Sequence, residues 1–207
     1  STSKSTPISG NFSGAGASSQ QAAVEAWIAG FQGTNPDAKV AYNPSGSGAG
    51  VSTFLTGATA WAGSDASLAD NEVEQSKSVC ASGTAFDIPV YISPIAVVFN
   101  LQGVSGKGKT LNYGLGENWP NEVGQGAKGT SGVISTVQQA DGTIGYADAS
   151  QAGDLGTVAV KVGDDYVPFS AEAAAKVVDA SPLDDSAKGD NRVVVKLDHN
   201  TTEKGAY

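Results

Sequence analysis

The chain has 207 residues, 40% of them hydrophobic and 16% charged, against roughly 25% charged in an average domain. That is enough apolar material for one domain or two small lobes. The net charge of −9 argues against nucleic acid or an anionic membrane as partner, and no apolar run approaches the roughly 20 residues of a membrane span.

Residues 1–9 open with a Ser/Thr-rich stretch and read as a disordered tether. A run of small residues follows, Ser13-Gly14-Ala15-Gly16-Ala17-Ser18-Ser19. Ser18 stands three residues before Gln21, the spacing of a capping box, which predicts Ser18 as an N-cap. Val24, Trp27, Ile28 and Phe31 then fall at i, i+3, i+4 and i+7, one apolar face of a helix that stops near Gly33. Its start places the N–H groups of Ser19 and Gln20 at the positive end of the helix dipole. A second small-residue run, Ser45-Gly46-Ser47-Gly48-Ala49-Gly50, follows an extended stretch from Lys39 to Tyr42. It leads into Val51, Phe54, Leu55 and Ala58, again at helical spacing. The third run, Trp61-Ala62-Gly63-Ser64-Asp65-Ala66-Ser67, carries a carboxylate.

Further along, 67–79 reads as a polar surface helix and 95–99 as a continuous apolar strand buried on both faces. Residues 131–139 look helical, with Val133, Ile134 and Val137 inward. Segments 158–162 and 166–169 flank Gly163-Asp164-Asp165 and predict a hairpin. Ser170 caps an alanine-rich helix to Ala180, ended by Pro182, and 192–197 is a last strand. Strands alternating with helices predict an α/β architecture, without internal repeats.

The three small-residue runs share a chemistry. Each offers backbone N–H groups with little side chain to block approach, short hydroxyls and, in two cases, a helix start behind them. Together they predict an anion site assembled from several loops. Asp65 narrows the ligand, because a carboxylate repels a fully ionised anion and accepts only from one that keeps a proton. Monohydrogen phosphate keeps one at neutral pH and sulfate does not, so Asp65 reads as a selectivity device.

At these residues the chain resembles the periplasmic-type phosphate-binding proteins of high-affinity phosphate ABC transporters, most closely their actinobacterial branch. The resemblance continues through Asp87-Ile88-Pro89-Val90-Tyr91-Ile92-Ser93-Pro94-Ile95-Ala96-Val97-Val98-Phe99-Asn100-Leu101, which looks like a crossing between lobes. It runs on through Gly126-Ala127-Lys128-Gly129-Thr130-Ser131-Gly132-Val133 and Gly142-Thr143-Ile144-Gly145-Tyr146-Ala147-Asp148-Ala149. It implies a two-lobe periplasmic-binding-protein-like fold of the type II solute-binding class. Lobe 1 would be residues 10–91 with 167–207, and lobe 2 a shortened 92–166. It places the family's phosphate ligands on Ser18, Ser19, Ser47 and Asp65, with no cofactor and no metal. It implies a non-enzymatic monomer outside the cytoplasm, partnered by membrane permease subunits and lipid-anchored through a cysteine upstream of Ser1. Two departures stand out. The family's second-lobe Arg-Ser-Asp-x-Ser-Gly-Thr-Thr segment is missing between Leu101 and Trp119, and the sequence stops at Tyr207, before the elements that usually complete the first lobe. The chain therefore reads as a truncated or edited member, or as segments of a longer one, and a fragment of the binding protein without tight ligand binding is an alternative reading of its function. The absence of any Met fits a processed mature chain.

Other motifs weigh less. Gly103-Val104-Ser105-Gly106-Lys107-Gly108-Lys109-Thr110 matches a P-loop at every position, which makes a nucleotide-binding or phosphoester-hydrolysing enzyme the rival reading. A breaker-rich loop follows it instead of a helix, and no strand ending in a second acidic ligand appears. Cys80 is the only cysteine, too little for zinc; a family partner beyond the end of this sequence and a free buried thiol are both open. His199 has no nucleophile elbow nearby and reads as a solvated surface residue. Asp179, Asp184, Asp185 and Asp190 lack EF-hand spacing and read as a solvated loop. The sequons at Asn11 and Asn200 are weak signals in the bacterial secreted protein that the resemblance implies.

Overall fold

The computed structural model describes residues 7–101, 124–187, 189, 191–198 and 200–207. Contacts divide the chain into two units, Ser1–Ala85 and Phe86–Tyr207. The P-loop match at 103–110, His199 and Asp190 lie outside the described residues, as does most of the N-terminal tether.

In the first unit, β1 (Gly10–Gly16) leads through a 3-10 turn (Ser18–Gln20) into α1 (Gln21–Thr34). Then come β2 (Ala38–Asn43), α2 (Ser47–Leu55), β3 (Trp61–Gly63) and α3 (Asp70–Ser76). The sheet is parallel, in the order β2-β1-β3. Its register aligns Ala15 with Asn43 and Gly16 with Gly63, so all three strands finish at one edge. The order places β1 between two oppositely directed crossovers. Right-handed connections then put α1 and α2 on opposite faces, and the crevice beyond the strand ends at such a switch point is where open α/β sheets bind ligands.

Small residues let the pieces of this sheet close up. Gly14 lies opposite both Tyr42 and Trp61. The Trp61 ring crosses it to stack on Tyr42, with centroids 5.1 Å apart and planes 11° from parallel. A Cβ on Gly14 would sit 2.1 Å from that indole. The α1 stripe behaves only partly as its spacing predicts. Val24 is buried, but Trp27 stays 49% exposed, and Trp27, Ile28 and Phe31 line a cavity of about 430 Å³ with Phe12, Val40 and Trp61. α2 packs on β1 and β3, with Gly50 so close that a Cβ there would meet Gly16 Cα at 2.4 Å. Val51, Leu68, Val73 and Ala85 form the core beneath, with Phe54, Leu55 and Cys80 against it. Cys80 is half-buried and forms no disulfide among the described residues. The predicted helix over 67–79 is regular only over Asp70–Ser76, where the Ala69 N–H donates to Glu72 Oε2 at 2.8 Å.

The second unit contains β4 (Ile95–Asn100), α4 (Gly129–Gln139), β5 (Thr143–Asp148), β6 (Gly156–Thr157), β7 (Val160–Val162), β8 (Asp165–Val167) and α5 (Ala171–Asp179). β4 runs antiparallel to β5 and β6. It is not buried on both faces as its apolar run predicts. Ala96 and Val98 are sealed against Ile134 and Val137 of α4, while Ile95 is 49% exposed, because an antiparallel sheet covered on one side alternates. The hairpin forms as β7 and β8 around Gly163-Asp164, and the Ser170 hydroxyl accepts from the Ala173 N–H to cap α5.

The predicted strand over 192–197 is replaced by two single bridges, Asp87 to Arg192 and Leu183 to Val195. The segment changes partner after each pair: the Val193 N–H donates to Asp87 O, and the Lys196 N–H to Pro182 O. Pro182 has no N–H to return, so the ladder cannot extend. Residues 167–207, assigned by resemblance to lobe 1, lie in this second unit. Phe169 packs on its core, and the Tyr207 hydroxyl donates to Ile95 O at 2.6 Å.

Candidate functional site

The three small-residue loops meet where the first sheet ends. Backbone bonds bring them together before any side chain does. The Ala17 N–H donates to Gly63 O (2.9 Å), joining the loop after β1 to the end of β3. The Gly46 N–H donates to Gly16 O (2.8 Å), joining the loop before α2 to β1. Gly46 has φ +96°, a left-handed value that favours glycine and lets the chain turn directly into α2 at Ser47.

On this frame Asp65 becomes the focus. Ser19 Oγ donates to its Oδ1 at 2.6 Å, and Ser47 Oγ donates to its Oδ2 at 3.2 Å. The Asp65 N–H donates back to Ser47 Oγ at 3.2 Å. The Ser19 contact has the length of a charge-assisted O–H···O bond, and the Ser47 contact is longer than an ordinary one. Ser18 and Ser19 are buried, at 4% and 9% exposure, while Asp65 is exposed. Two hydroxyls from two helix starts thus lie on a carboxylate at an open rim. The structure brings Ser19, Ser47 and Asp65 within hydrogen-bond reach and buries Ser18 beside Ser19.

Ser18 does not cap α1 as its spacing predicts. A 3-10 turn intervenes, with Ala17 at its N-cap position and no side-chain capping bond. Gln21 bonds forward to Glu25 Oε1 (2.8 Å) instead of back. The extra turn places Ser18 inside the first helical turn, where its hydroxyl has lost N-cap geometry.

Two residues at the site escape sequence reasoning. Gln20 Nε2 donates to Ser64 O at 3.0 Å, and the Tyr42 hydroxyl donates to Ala17 O at 2.8 Å. Gln20 reads in the sequence only as a helix-terminal N–H, and Tyr42 only as a strand residue. Neither carries a spacing signal, because both bonds depend on strand pairing.

Elsewhere the candidates reduce to local structure. In the acidic loop, Asp184 accepts from the Ser186 N–H (2.9 Å), and bonding to Ser186 holds its carboxyl below the usual value of 3.8. Among the described residues no group of His, Cys, Asp or Glu could hold a metal ion. Nor is any described helix long and apolar enough to cross a membrane.

A family model described as a PBP superfamily domain matches residues 1–113. The chain is 37% identical over 98 residues to phosphate-binding protein PstS 2 of Mycobacterium tuberculosis (strain ATCC 25618 / H37Rv), covering 47% of this chain and 25% of that protein. It is 24% identical over 232 aligned positions to phosphate-binding protein PstS 3 of Mycobacterium leprae (strain TN), covering 81% of this chain and 63% of the relative. That alignment is longer than the chain itself, so the relative carries positions without a counterpart here. The chain thus spans about a quarter of the first relative and less than two thirds of the second. The family model covers more than half of the chain, and on that match the protein belongs to the PBP superfamily, with similarity inside it to the mycobacterial phosphate-binding proteins.

Proposed function

We propose that this protein is an extracytoplasmic solute-binding protein that captures inorganic phosphate and hands it to the membrane permease of an ABC transporter. The observation that carries the reading is the Asp65 carboxylate, bonded by Ser19 and Ser47 at the carboxyl ends of a parallel sheet. The mycobacterial relatives are named for phosphate, and that supplies the ligand. Those relatives are named as binding proteins, and the reading includes no reaction step.

Capture would be an exchange of hydrogen bonds. Monohydrogen phosphate donates its one O–H to Asp65, and the hydroxyls of Ser19 and Ser47 swing from the carboxylate onto phosphate oxygens. Ser18 adds a further donor from the same helix start, where the dipole favours the dianion. Sulfate has no proton to give, so it would leave Asp65 facing a full negative charge with its hydroxyl partners withdrawn. Selectivity thus rests on a repulsive element as much as an attractive one.

Isothermal titration calorimetry with phosphate, sulfate and ATP tests this directly. One phosphate per chain, with sulfate binding far more weakly and ATP not at all, is the expected result. Heat from ATP alone, or from sulfate as strongly as phosphate, would overturn the reading.

A further inference from the structure

We infer that Gln20 is a positioning residue that sets the discrimination between phosphate and sulfate by holding the Ser64–Asp65 turn in place. The inference rests on the phosphate reading and adds a residue to it.

The argument starts from what anchors Asp65. The residue is exposed and follows the end of β3, so burial does not fix it. Its carboxylate is held by Ser19 and Ser47, the hydroxyls a bound anion would draw away. Once they turn to the ligand, two bonds beside Asp65 still tie this turn to the rest of the unit. Its own N–H donates to Ser47 Oγ at 3.2 Å, on a hydroxyl that also serves the ligand. Gln20 Nε2 donates to Ser64 O at 3.0 Å, from a residue outside that exchange. Gln20 therefore matters most in the liganded state, when the carboxylate's own partners have left.

Gln20 is itself well placed to hold. A Cβ on Gly63 would lie 2.8 Å from Gln20 Oε1 and 2.6 Å from the Tyr42 hydroxyl, so both groups occupy the space a side chain would fill. The Tyr42 hydroxyl is tied to Ala17 O, the Ala17 N–H to Gly63 O, and the Tyr42 ring is stacked on Trp61. Gln20 thus sits in a stitched layer over Gly63, and only its amide reaches on to Ser64. Discrimination requires the carboxylate to stand where a ligand oxygen arrives. If the turn relaxes, the carboxylate can rotate away from an unprotonated oxygen and sulfate is tolerated.

The test is Gln20→Met in the full 207-residue chain, which keeps the length of the side chain and removes the donor. Phosphate and sulfate dissociation constants are measured by calorimetry, beside Asp65→Asn. Amide hydrogen exchange of 64–67 is read in the phosphate-saturated protein. The ratio of sulfate to phosphate dissociation constants is expected to fall about tenfold in Gln20→Met, the scale of losing one hydrogen bond. Faster exchange should be confined to 64–67 and the facing turn at 17–19. A purely structural role would weaken both anions equally and leave the ratio unchanged, which would overturn the inference, as would unchanged exchange at 64–67. If the ratio holds in Asp65→Asn as well, the phosphate reading itself fails. If it falls in Asp65→Asn and holds in Gln20→Met, only the role of Gln20 is refuted.

Discussion

Replacing Asp65 by Asn puts the selectivity argument to its hardest test. The substitution keeps the shape of the side chain and one acceptor oxygen, and it removes the charge. In the ligand-free protein the remaining oxygen can still accept from Ser19, whose 2.6 Å contact is the stronger of the two. The new NH₂ group faces Ser47 Oγ, which already accepts from the Asp65 N–H. The fold should therefore lose only about 1 kcal/mol, the difference between a charge-assisted and a neutral hydrogen bond.

The effect on ligands differs sharply by anion. Phosphate loses a charge-assisted bond of about 1.5–3 kcal/mol and keeps a neutral remnant, so its affinity falls by roughly a decade. Sulfate loses a repulsion instead and gains a donor. A unit-charge pair about 4 Å apart near a protein surface interacts by about 4 kcal/mol before screening, so even partial relief is worth a decade or more. The two changes together should narrow discrimination by about a hundredfold. Calorimetric titration of both anions near pH 8, where phosphate is mainly the monohydrogen dianion, reads this directly, with circular dichroism confirming that the variant folds. An unchanged ratio of dissociation constants in a folded Asp65→Asn would remove the carboxylate from the site.

Two further changes probe the frame of each unit. Ser76→Ala should destabilise the first unit by about 1–3 kcal/mol in denaturant unfolding: the fully buried hydroxyl donates to Val73 O (2.7 Å) and accepts from the Ala85 N–H (2.9 Å), which would be left buried without its acceptor. Tyr207→Phe should cost about 1 kcal/mol at neutral pH by removing the bond to Ile95 O. The same variant should also flatten the alkaline decline of stability. Burial raises the Tyr207 hydroxyl above its ordinary 10.0, so its contribution is complete below pH 10 and is lost as pH rises through the folded value; unfolding curves from pH 8 to 11 on both proteins measure the difference.

Much of this architecture is legible in the sequence because it is local. Ser170 before an alanine-rich run makes the bond its position predicts, and Gly163-Asp164 turns the hairpin. Val133, Ile134 and Val137 face inward from α4. The meeting of Ser19, Ser47 and Asp65 is also legible, since in a βαβαβ arrangement the loops after parallel strands gather at one edge. What resists reading depends on distant partners. The 3-10 turn that displaces Ser18 from the cap follows an Ala17 tied to Gly63, 46 residues away. The single bridges of 192–197 are set by Asp87 and Pro182. The half-exposed face of β4 follows from antiparallel pairing, which an apolar run does not announce.

The glycines carry the clearest revision of meaning. In the sequence they read as bare backbone through which a ligand approaches. In the structure most of those in the three runs are occupied by the protein itself: Trp61 crosses Gly14, Gly63 O presses on Gly16, Gly16 presses on Gly50, and Tyr42 and Gln20 cover Gly63. A Cβ at any of the four would stand less than 3 Å from a neighbour, which close-packed interiors do not accommodate without displacement. Their shared consequence is distance. With side chains there, β1, β3 and α2 would stand further apart, and Ser19 and Ser47 could not both reach one carboxylate. The small residues thus act by letting three loops approach closely enough for two hydroxyls to meet one carboxylate.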